Sequence, residues 1–137
     1  MNTLFEASYR VAWGDIDMNG HMANSRFLDY ATQTRFQFLA MRGFMPADFQ
    51  RLQVGPVIFE DHVRYRRELR MLEDFVVSFQ YEPLDPQGRK FKMLNRFSKG
   101  DEAVAEVEAL GAWFDLVSRK VVVPPAELSK ALEGAGP

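Results

Sequence analysis

Residues Trp13 to Phe27 read WGDIDMNGHMANSRF and join a segment of strand-like alternation to a long helical pattern. This acidic loop carries two carboxylates, a glycine, one of the chain's two histidines and an asparagine: Asp15, Asp17, Gly20, His21 and Asn24. Backbone N–H groups at a helix N-terminus can polarise a carbonyl group, and a nearby carboxylate can attack it or activate water. The loop therefore predicts a site for carbonyl chemistry.

The segments on either side of the loop predict a strand and a helix. Apolar residues alternate with polar ones from Phe5 to Trp13, which is typical of a β-strand. From about Asn24 to Arg42, apolar residues recur at helical spacing, and this long apolar helix is expected to be buried. Asn24 or Ser25 is available as its N-cap, and Gly43 as the glycine that ends it.

Four further strand patterns follow from Val57 onward and end near Leu116. Pro124-Pro125 then predicts a short helix through about Glu133, and we expect residues 134–137 to be a frayed tail. This order predicts an α+β fold, with an antiparallel five-stranded sheet packed on one long helix. The uncovered face and edges of such a sheet favour a homodimer.

Composition predicts one domain over residues 1–137, with 47% apolar and 26% charged residues and a formal net charge of −2. This charge offers no general attraction to nucleic acid or anionic lipid. Met1 to Ala12 make a poor signal peptide, and no apolar run approaches the about 18 residues of a membrane helix. The absence of cysteine is compatible with a reducing compartment. We expect a cytoplasmic protein that binds neither nucleic acid nor membranes.

A metal site in the acidic loop is a weaker interpretation. Asp15-x-Asp17-x-Asn19-Gly20 matches the opening of a calcium-binding EF-hand loop, but Arg26 stands where the loop needs a bidentate glutamate. A transition-metal site would have to use Asp15, Asp17 and His21 without a second histidine-rich element. The other histidine, His62, lies among charged residues and is expected on a solvated strand face. We therefore predict no metal ion.

The stretch DIDMNGHMANSRFL, from Asp15 to Leu28, resembles the D-x-D-x-x-G-H-x-N-N-x-x-Y-L signature of hotdog-fold acyl-CoA thioesterases of the 4-hydroxybenzoyl-CoA thioesterase type. The resemblance extends to residues 55–65 and 111–116, and so covers most of the chain. It implies a hotdog fold, hydrolysis of an acyl-CoA thioester without a cofactor, and a homodimer or homotetramer with sites between subunits. Acyl-carrier-protein thioesterases share the Gly-His-x-Asn core.

In this resemblance the essential carboxylate falls on Asp17, which either attacks the thioester carbonyl or acts as general base for water. The N-terminus of the long helix polarises the carbonyl. His21 and Asn24 fall on positions that brace the loop or approach the carbonyl; Asn24 can also simply cap the helix. Asp17 can alternatively be a turn aspartate, while Asp15 is expected to be structural.

Further residues are predicted to contact substrate. Gly20 is expected to have a positive φ or to let the backbone approach the ligand, and Met22 and Phe27 contribute to the acyl cleft. Arg89 and Lys90 resemble a basic hairpin that meets nucleotide phosphates in the family. A second basic cluster comprises four arginines: Arg64, Arg66, Arg67 and Arg70.

The chain departs from the signature at Ala23, where many members have asparagine, and at Phe27, which is usually tyrosine. These departures bear on the acyl group that the site accepts. Two other functions stay open, a hotdog protein that binds acyl thioesters without hydrolysing them and a thioesterase for acyl carrier protein. A hotdog dehydratase is a third alternative, but its histidine-aspartate arrangement is not evident.

Overall fold

Six strands and three α-helices make up residues 1–133, the part of the chain that the computed structural model describes. The predicted tail at 134–137 lies outside the described residues. The strands are β1 (Thr3–Arg10), β2 (Val54–Tyr65), β3 (Asp74–Pro83), β4 (Lys90–Lys99), β5 (Glu102–Asp115) and the two-residue β6 (Lys120–Val121). The helices are α1 (Asn24–Met41), α2 (Pro46–Leu52) and α3 (Ala126–Ala131). Within residues 1–133, no helix is both long and apolar enough to cross a membrane.

The five long strands form one antiparallel sheet in the spatial order β1-β3-β4-β5-β2, and β6 pairs with the end of β5. Along β3 and β5, buried side chains alternate with more exposed ones over much of each strand, as the period of two requires. The core between helix and sheet is rich in aromatic residues: Phe27, Phe38, Phe75, Phe79, Phe91, Phe97 and Trp113. The structure thus confirms the predicted α+β hotdog fold, with a five-stranded sheet, one long helix and a short C-terminal helix.

Two hydrogen bonds between polar side chains attach the middle of α1 to the sheet. The Tyr9 hydroxyl of β1 lies 2.8 Å from the Thr34 hydroxyl. The Nε of Arg35 donates to Oδ1 of Asn95 in β4 at 2.8 Å, and both side chains are buried. A buried polar group without a hydrogen-bond partner destabilises the folded protein. Rotation of α1 about its axis would break these hydrogen bonds, so they restrict it.

The first strand is shorter than the sequence pattern predicts, since β1 ends at Arg10 and not at Trp13. A carboxylate oxygen of Asp15 accepts a hydrogen bond from the N–H of Ala12 at 2.9 Å and closes a 3₁₀ turn over Trp13–Asp15. Trp13 is therefore 81% exposed and does not continue the buried face of β1. The hydrogen bond of the Asp15 side chain therefore ends the strand before the alternation of apolar and polar residues does.

Helix α2 was not predicted. Gly43 ends α1 with φ +90°, as expected, but the chain then enters α2 at Pro46, whose missing N–H is harmless in the first turn. Asp48 accepts a hydrogen bond from the N–H of Met45 at 2.8 Å, and Phe49 is buried. The sequence signal was the proline followed two residues later by an aspartate.

The two ends of the sheet carry different loops. The end of β2 and the start of β3 are joined by residues 66–73, which we call the arginine loop, and the acidic loop and the start of α1 lie at this end. At the other end, residues 84–89 join β3 to β4, and we call residues 84–90, which include the first residue of β4, the basic hairpin. About 30 Å of β4 separate these ends, at about 3.3 Å per residue.

Gly111 offers a test of the packing between strands. A Cβ at this position would lie 2.3 Å from the carbonyl oxygen of Val57 and 2.9 Å from the Phe91 ring. We expect Gly111→Ala to lower the free energy of unfolding by at least about 2 kcal/mol, because backbone must move to admit the methyl group.

Chemical denaturation of the variant and the wild type measures this difference. Gly14→Ala is the matched control, because no atom lies within 4 Å of the added Cβ, and a change of less than about 0.5 kcal/mol is expected. Equal stability of the two variants would contradict the packing described for Gly111.

Candidate functional site

The Asp15 carboxylate holds the acidic loop against α1. It is 9% exposed and accepts hydrogen bonds from the N–H of Ala12 and from the hydroxyl of Tyr30. Arg26 Nε lies 3.6 Å from its other oxygen. Burial, and after it the hydrogen bond to Asp15, raises the pKa of Tyr30 above its usual value, so the phenol remains a donor. These contacts agree with the expected structural role of Asp15.

Asp17 lies in a tight turn two residues further on. Its Oδ1 accepts a hydrogen bond from the N–H of Asn19 at 2.8 Å, and its carbonyl accepts one from the N–H of Gly20 at 3.1 Å. Gly20 has φ +83°, the positive value that the sequence predicts. The second carboxylate oxygen of Asp17 makes no hydrogen bond within residues 1–133, and the side chain is half-buried. Asp17 is thus a turn residue that keeps one oxygen free.

A cavity of about 220 Å³ opens at the N-terminus of α1. One wall comes from the acidic loop and the first turn of α1: His21, Met22, Asn24 and Phe27. The other wall comes from the end of β2 and the arginine loop: Tyr65, Arg66, Arg67 and Glu68. The structure therefore brings four of the predicted site residues together. Asp17 and Gly20 precede this wall in the chain and do not line the cavity.

Backbone contacts tie the two walls together. The N–H of Met22 donates to the carbonyl of Leu69 at 2.7 Å, and both side chains are buried. His21 Nδ1 lies 3.3 Å from the carbonyl oxygen of Met22. The acidic loop and the arginine loop, which are distant in sequence, consequently form one local structure.

Asn24 does not cap α1, and neither does Ser25. The N-cap is Ala23, whose backbone is extended and whose N–H donates to the carbonyl of Asp15 at 2.9 Å. Because this hydrogen bond places Ala23 at the helix boundary, Asn24 becomes the first helical residue. Among residues 1–133 no side chain accepts a hydrogen bond from the first amides of α1, so the positive end of the helix has no side-chain acceptor there.

Sequence reasoning missed Tyr65 as a residue of this cavity. Its hydroxyl donates to the carbonyl of Asn24 at 3.3 Å, and its ring meets Phe27 edge-on with centroids 5.3 Å apart. The alternation along β2 placed Tyr65 on one face with Val63, but no sequence signal related that face to the start of α1. Arg66 and Arg67 were identified as basic residues without being assigned to the cavity.

Arg89 and Lys90 lie in the basic hairpin, at the opposite end of the sheet from the cavity. The Asp85 carboxylate organises this hairpin by accepting hydrogen bonds from the N–H groups of Lys90 at 2.8 Å and Arg89 at 3.2 Å. These backbone hydrogen bonds lower the pKa of Asp85. A single protomer therefore does not bring the hairpin cations to the helix start.

His62 is exposed on β2, as predicted, with Glu60 4.0 Å away. Within residues 1–133, no group of three or more His, Cys, Asp or Glu side chains is arranged to hold a metal ion.

Comparisons with known proteins agree with this fold. The model of the Thioesterase-like superfamily matches residues 11–132. L-carnitine dehydrogenase/betainyl-CoA thioesterase from Ruegeria pomeroyi is 28% identical over 118 residues, which are 85% of this chain and 23% of that protein. The chain thus spans about a quarter of the length of this relative.

Solved structures show the same architecture. A 1,4-dihydroxy-2-naphthoyl-CoA thioesterase from Synechocystis superimposes with a TM-score of 0.85 at 13% identity, covering 96% of each chain. A Staphylococcus aureus protein solved in complex with CoA also gives a TM-score of 0.85, at 17% identity, covering 96% of this chain and 82% of that one. With the family match spanning the acidic loop, α1 and all strands after β1, the chain belongs to the Thioesterase-like superfamily.

Proposed function

We propose that this protein is an acyl-CoA thioesterase, which hydrolyses an acyl-CoA thioester to a free acid and CoA. The observation that carries the proposal is the cavity at the uncapped N-terminus of α1, in a chain of the Thioesterase-like superfamily. Two of the similar proteins described above are named as CoA thioesterases. The supporting features are an electropositive helix end and a carboxylate in the adjoining turn.

In the proposed mechanism the thioester carbonyl oxygen binds at the start of α1, where backbone N–H groups stabilise the developing negative charge. The free oxygen of Asp17 either attacks the carbonyl carbon, giving a mixed anhydride that water cleaves, or removes a proton from the attacking water. Both routes release CoA as the thiol and the acyl group as the acid. His21 and Asn24 orient the carbonyl or the water from the cavity wall.

The remaining proposed contacts concern the acyl group. Gly20, with its positive φ, shapes the turn that presents Asp17, and Met22 and Phe27 supply an apolar wall beside the carbonyl. The Tyr65 ring completes this wall. A volume of about 220 Å³ is below the usual range for a whole drug-sized ligand, so the cavity suits the thioester and a short acyl portion.

We also propose that the protein is a homodimer, or a homotetramer built from such dimers, paired through the free edge of β2. This strand is twelve residues long and, within residues 1–133, pairs only with β5. Ile58 and Phe59 are 36% and 55% exposed on it. The unpaired N–H and C=O groups of a long edge strand with exposed apolar residues can pair with a strand of another chain. In such an assembly Arg89 and Lys90 would reach a ligand only from the partner subunit.

A non-hydrolytic acyl-thioester-binding protein is the second candidate function. The observation that favours it is the position of Asp17, whose Oδ1 is bound to the N–H of Asn19 and whose side chain does not line the cavity. Such a protein would bind acyl-CoA saturably and release no thiol from it.

Asp17→Asn tests the proposed chemistry. We expect kcat for acyl-CoA hydrolysis to fall at least about a hundredfold, because an amide is neither a nucleophile nor a base here. The measurement is thiol release from short, medium, long and aromatic acyl-CoA substrates, with thermal unfolding to show that the fold is retained.

Asp29→Asn is the matched control for this measurement. Asp29 is an exposed carboxylate on α1, paired with Arg26 at 3.0 Å, and its loss should leave hydrolysis within about twofold of the wild type. Unchanged activity in the Asp17 variant would rule out the assigned role. Binding without thiol release by the wild-type protein would favour the second candidate.

Phe59→Lys tests the proposed dimer. A lysine at this exposed edge position should oppose close pairing of two β2 strands, so light scattering should show a shift from dimer toward monomer. Val117→Lys changes another exposed apolar residue, 67% exposed in the turn after β5, and should leave the mass unchanged. A monomeric wild type, or equal masses for both variants and the wild type, would contradict this interface.

A further inference from the structure

We propose that Arg35 and Asp61 form a buried ion pair at the interface between two copies of this chain. The inference rests on the homodimer in the proposed function, in which the free edge of β2 pairs with a partner subunit. It goes beyond that dimer by naming the two side chains whose charges the second copy encloses.

The first support is a buried cation with an unused hydrogen-bond donor. Arg35 is 6% exposed, and its Nε donates to Asn95 Oδ1 at 2.8 Å. The Asn95 amide is itself held in place, because its Nδ2 donates to the carbonyl of Ser78 at 3.0 Å. Nη2 of Arg35 is also buried, and it has no hydrogen-bond partner among residues 1–133. Since a buried charge without a counter-charge destabilises a folded protein, we expect an acidic group to face Arg35 in the assembled protein.

The second support is the strand register, which places Asp61 on the side of β2 that faces α1. The Tyr65 ring contacts Phe27 of α1, and Val63 packs against the buried cluster that includes Phe27. The pairing of β2 with β5 is regular from Glu60 to Tyr65. Asp61 therefore shares the face of Val63 and Tyr65, because side chains alternate with a period of two.

The same register brings Asp61 toward Arg35. Val63 of β2 pairs with Val107 of β5, and Val107 pairs with Asn95 of β4, the residue that holds Arg35. Asp61 lies two residues from Val63 along β2. Burial lowers the pKa of the Arg35 guanidinium, and the charge of Asp61 opposes this lowering. Asp61 is thus the carboxylate placed to neutralise Arg35, although it does not reach Nη2 in one protomer.

The third support is the exposure of Asp61 on the strand edge that the proposed dimer covers. Asp61 is exposed in one protomer and follows the exposed apolar residues Ile58 and Phe59 on β2. Pairing of two β2 edges would remove water from this carboxylate, which strengthens its attraction to a nearby cation. The second copy thus converts a solvent-screened attraction into a buried ion pair. A two-fold interface forms this pair twice, once in each protomer.

The carboxylate next to Asp61 provides a matched control. Glu60 stands at the same strand edge, but it lies on the opposite face of the sheet, 4.0 Å from His62. Asp61→Asn and Glu60→Gln each remove one negative charge from this edge and keep the size of the side chain. Only the first substitution removes the proposed partner of Arg35.

The dimer dissociation constant, measured by sedimentation equilibrium over a dilution series, tests the proposal. We expect Asp61→Asn to raise this constant at least about tenfold, because dimer formation then leaves Arg35 buried without a counter-charge. Glu60→Gln should stay within about threefold of the wild type, since exposed ion pairs contribute little. Circular dichroism checks that both variants fold. Equal dissociation constants for the two variants would overturn the proposal.

Arg35→Met gives a second readout. Methionine keeps an unbranched, adaptable side chain in the core and removes the charge. In this background Asp61→Asn should change the dissociation constant less than about twofold, because no cation remains for the carboxylate to neutralise. An undiminished effect of Asp61→Asn in the Arg35→Met background would contradict the ion pair. If Arg35→Met does not fold, the comparison of Asp61→Asn with Glu60→Gln still decides.

These measurements involve no substrate, so the ion pair and the proposed function can fail separately. Absence of thiol release by the wild type would refute the thioesterase and leave the dissociation constants unaffected. A dimer that Asp61→Asn weakens and Phe59→Lys leaves intact would support the ion pair and refute pairing through the β2 edge. A dimer that Phe59→Lys dissociates and Asp61→Asn leaves unchanged would refute the ion pair alone. A monomeric wild type would refute both the dimer and the ion pair.

Discussion

The buried carboxylate of Asp15 is the constraint on which the rest of the site depends. A carboxylate with so little access to water must be hydrogen-bonded, and its partners come from the turn before it, Ala12, and from α1, Tyr30. Meeting this requirement ends β1 early, closes the 3₁₀ turn and holds the loop against the helix. The Asp15 backbone then accepts the N–H of Ala23 and so sets the residue at which α1 begins.

The start of α1 is positioned from the sheet side as well. The hydrogen bonds Tyr9–Thr34 and Arg35–Asn95 fix which face of the helix meets the strands, and Tyr65 reaches the first helical carbonyl from β2. The cavity therefore forms where three parts of the chain meet. The sheet and α1 hold its walls. Of the residues proposed to act on substrate, Asp17 and His21 stand on the acidic loop, as is usual for enzymes, and Asn24 is the first residue of α1.

The predicted site residues and the residues that line the cavity are not the same set. Predicted residues that are close in sequence, between His21 and Phe27, line one cavity because a loop and one helical turn keep them near each other. Arg89 and Lys90 were grouped with them by resemblance, although a full strand length separates the two places in one protomer. Tyr65 and Arg66 were not grouped with them, because their proximity arises from the pairing of β2 with β5.

Hydrophobic periodicity in the sequence was sufficient to predict the five long strands, the long helix and their order, because side-chain spacing reflects which face of each element is buried. The signature from Asp15 to Leu28 was sufficient to predict the family. Strand register and burial of polar groups set the helix boundary at Ala23, the early end of β1 and the wall formed by Tyr65, Arg66 and Arg67. The wall depends on contacts between residues far apart in the chain, such as that of Tyr65 with Asn24, and the two boundaries depend on the hydrogen bonds that the buried Asp15 makes to Ala12 and Ala23. The spacing of apolar residues encodes neither.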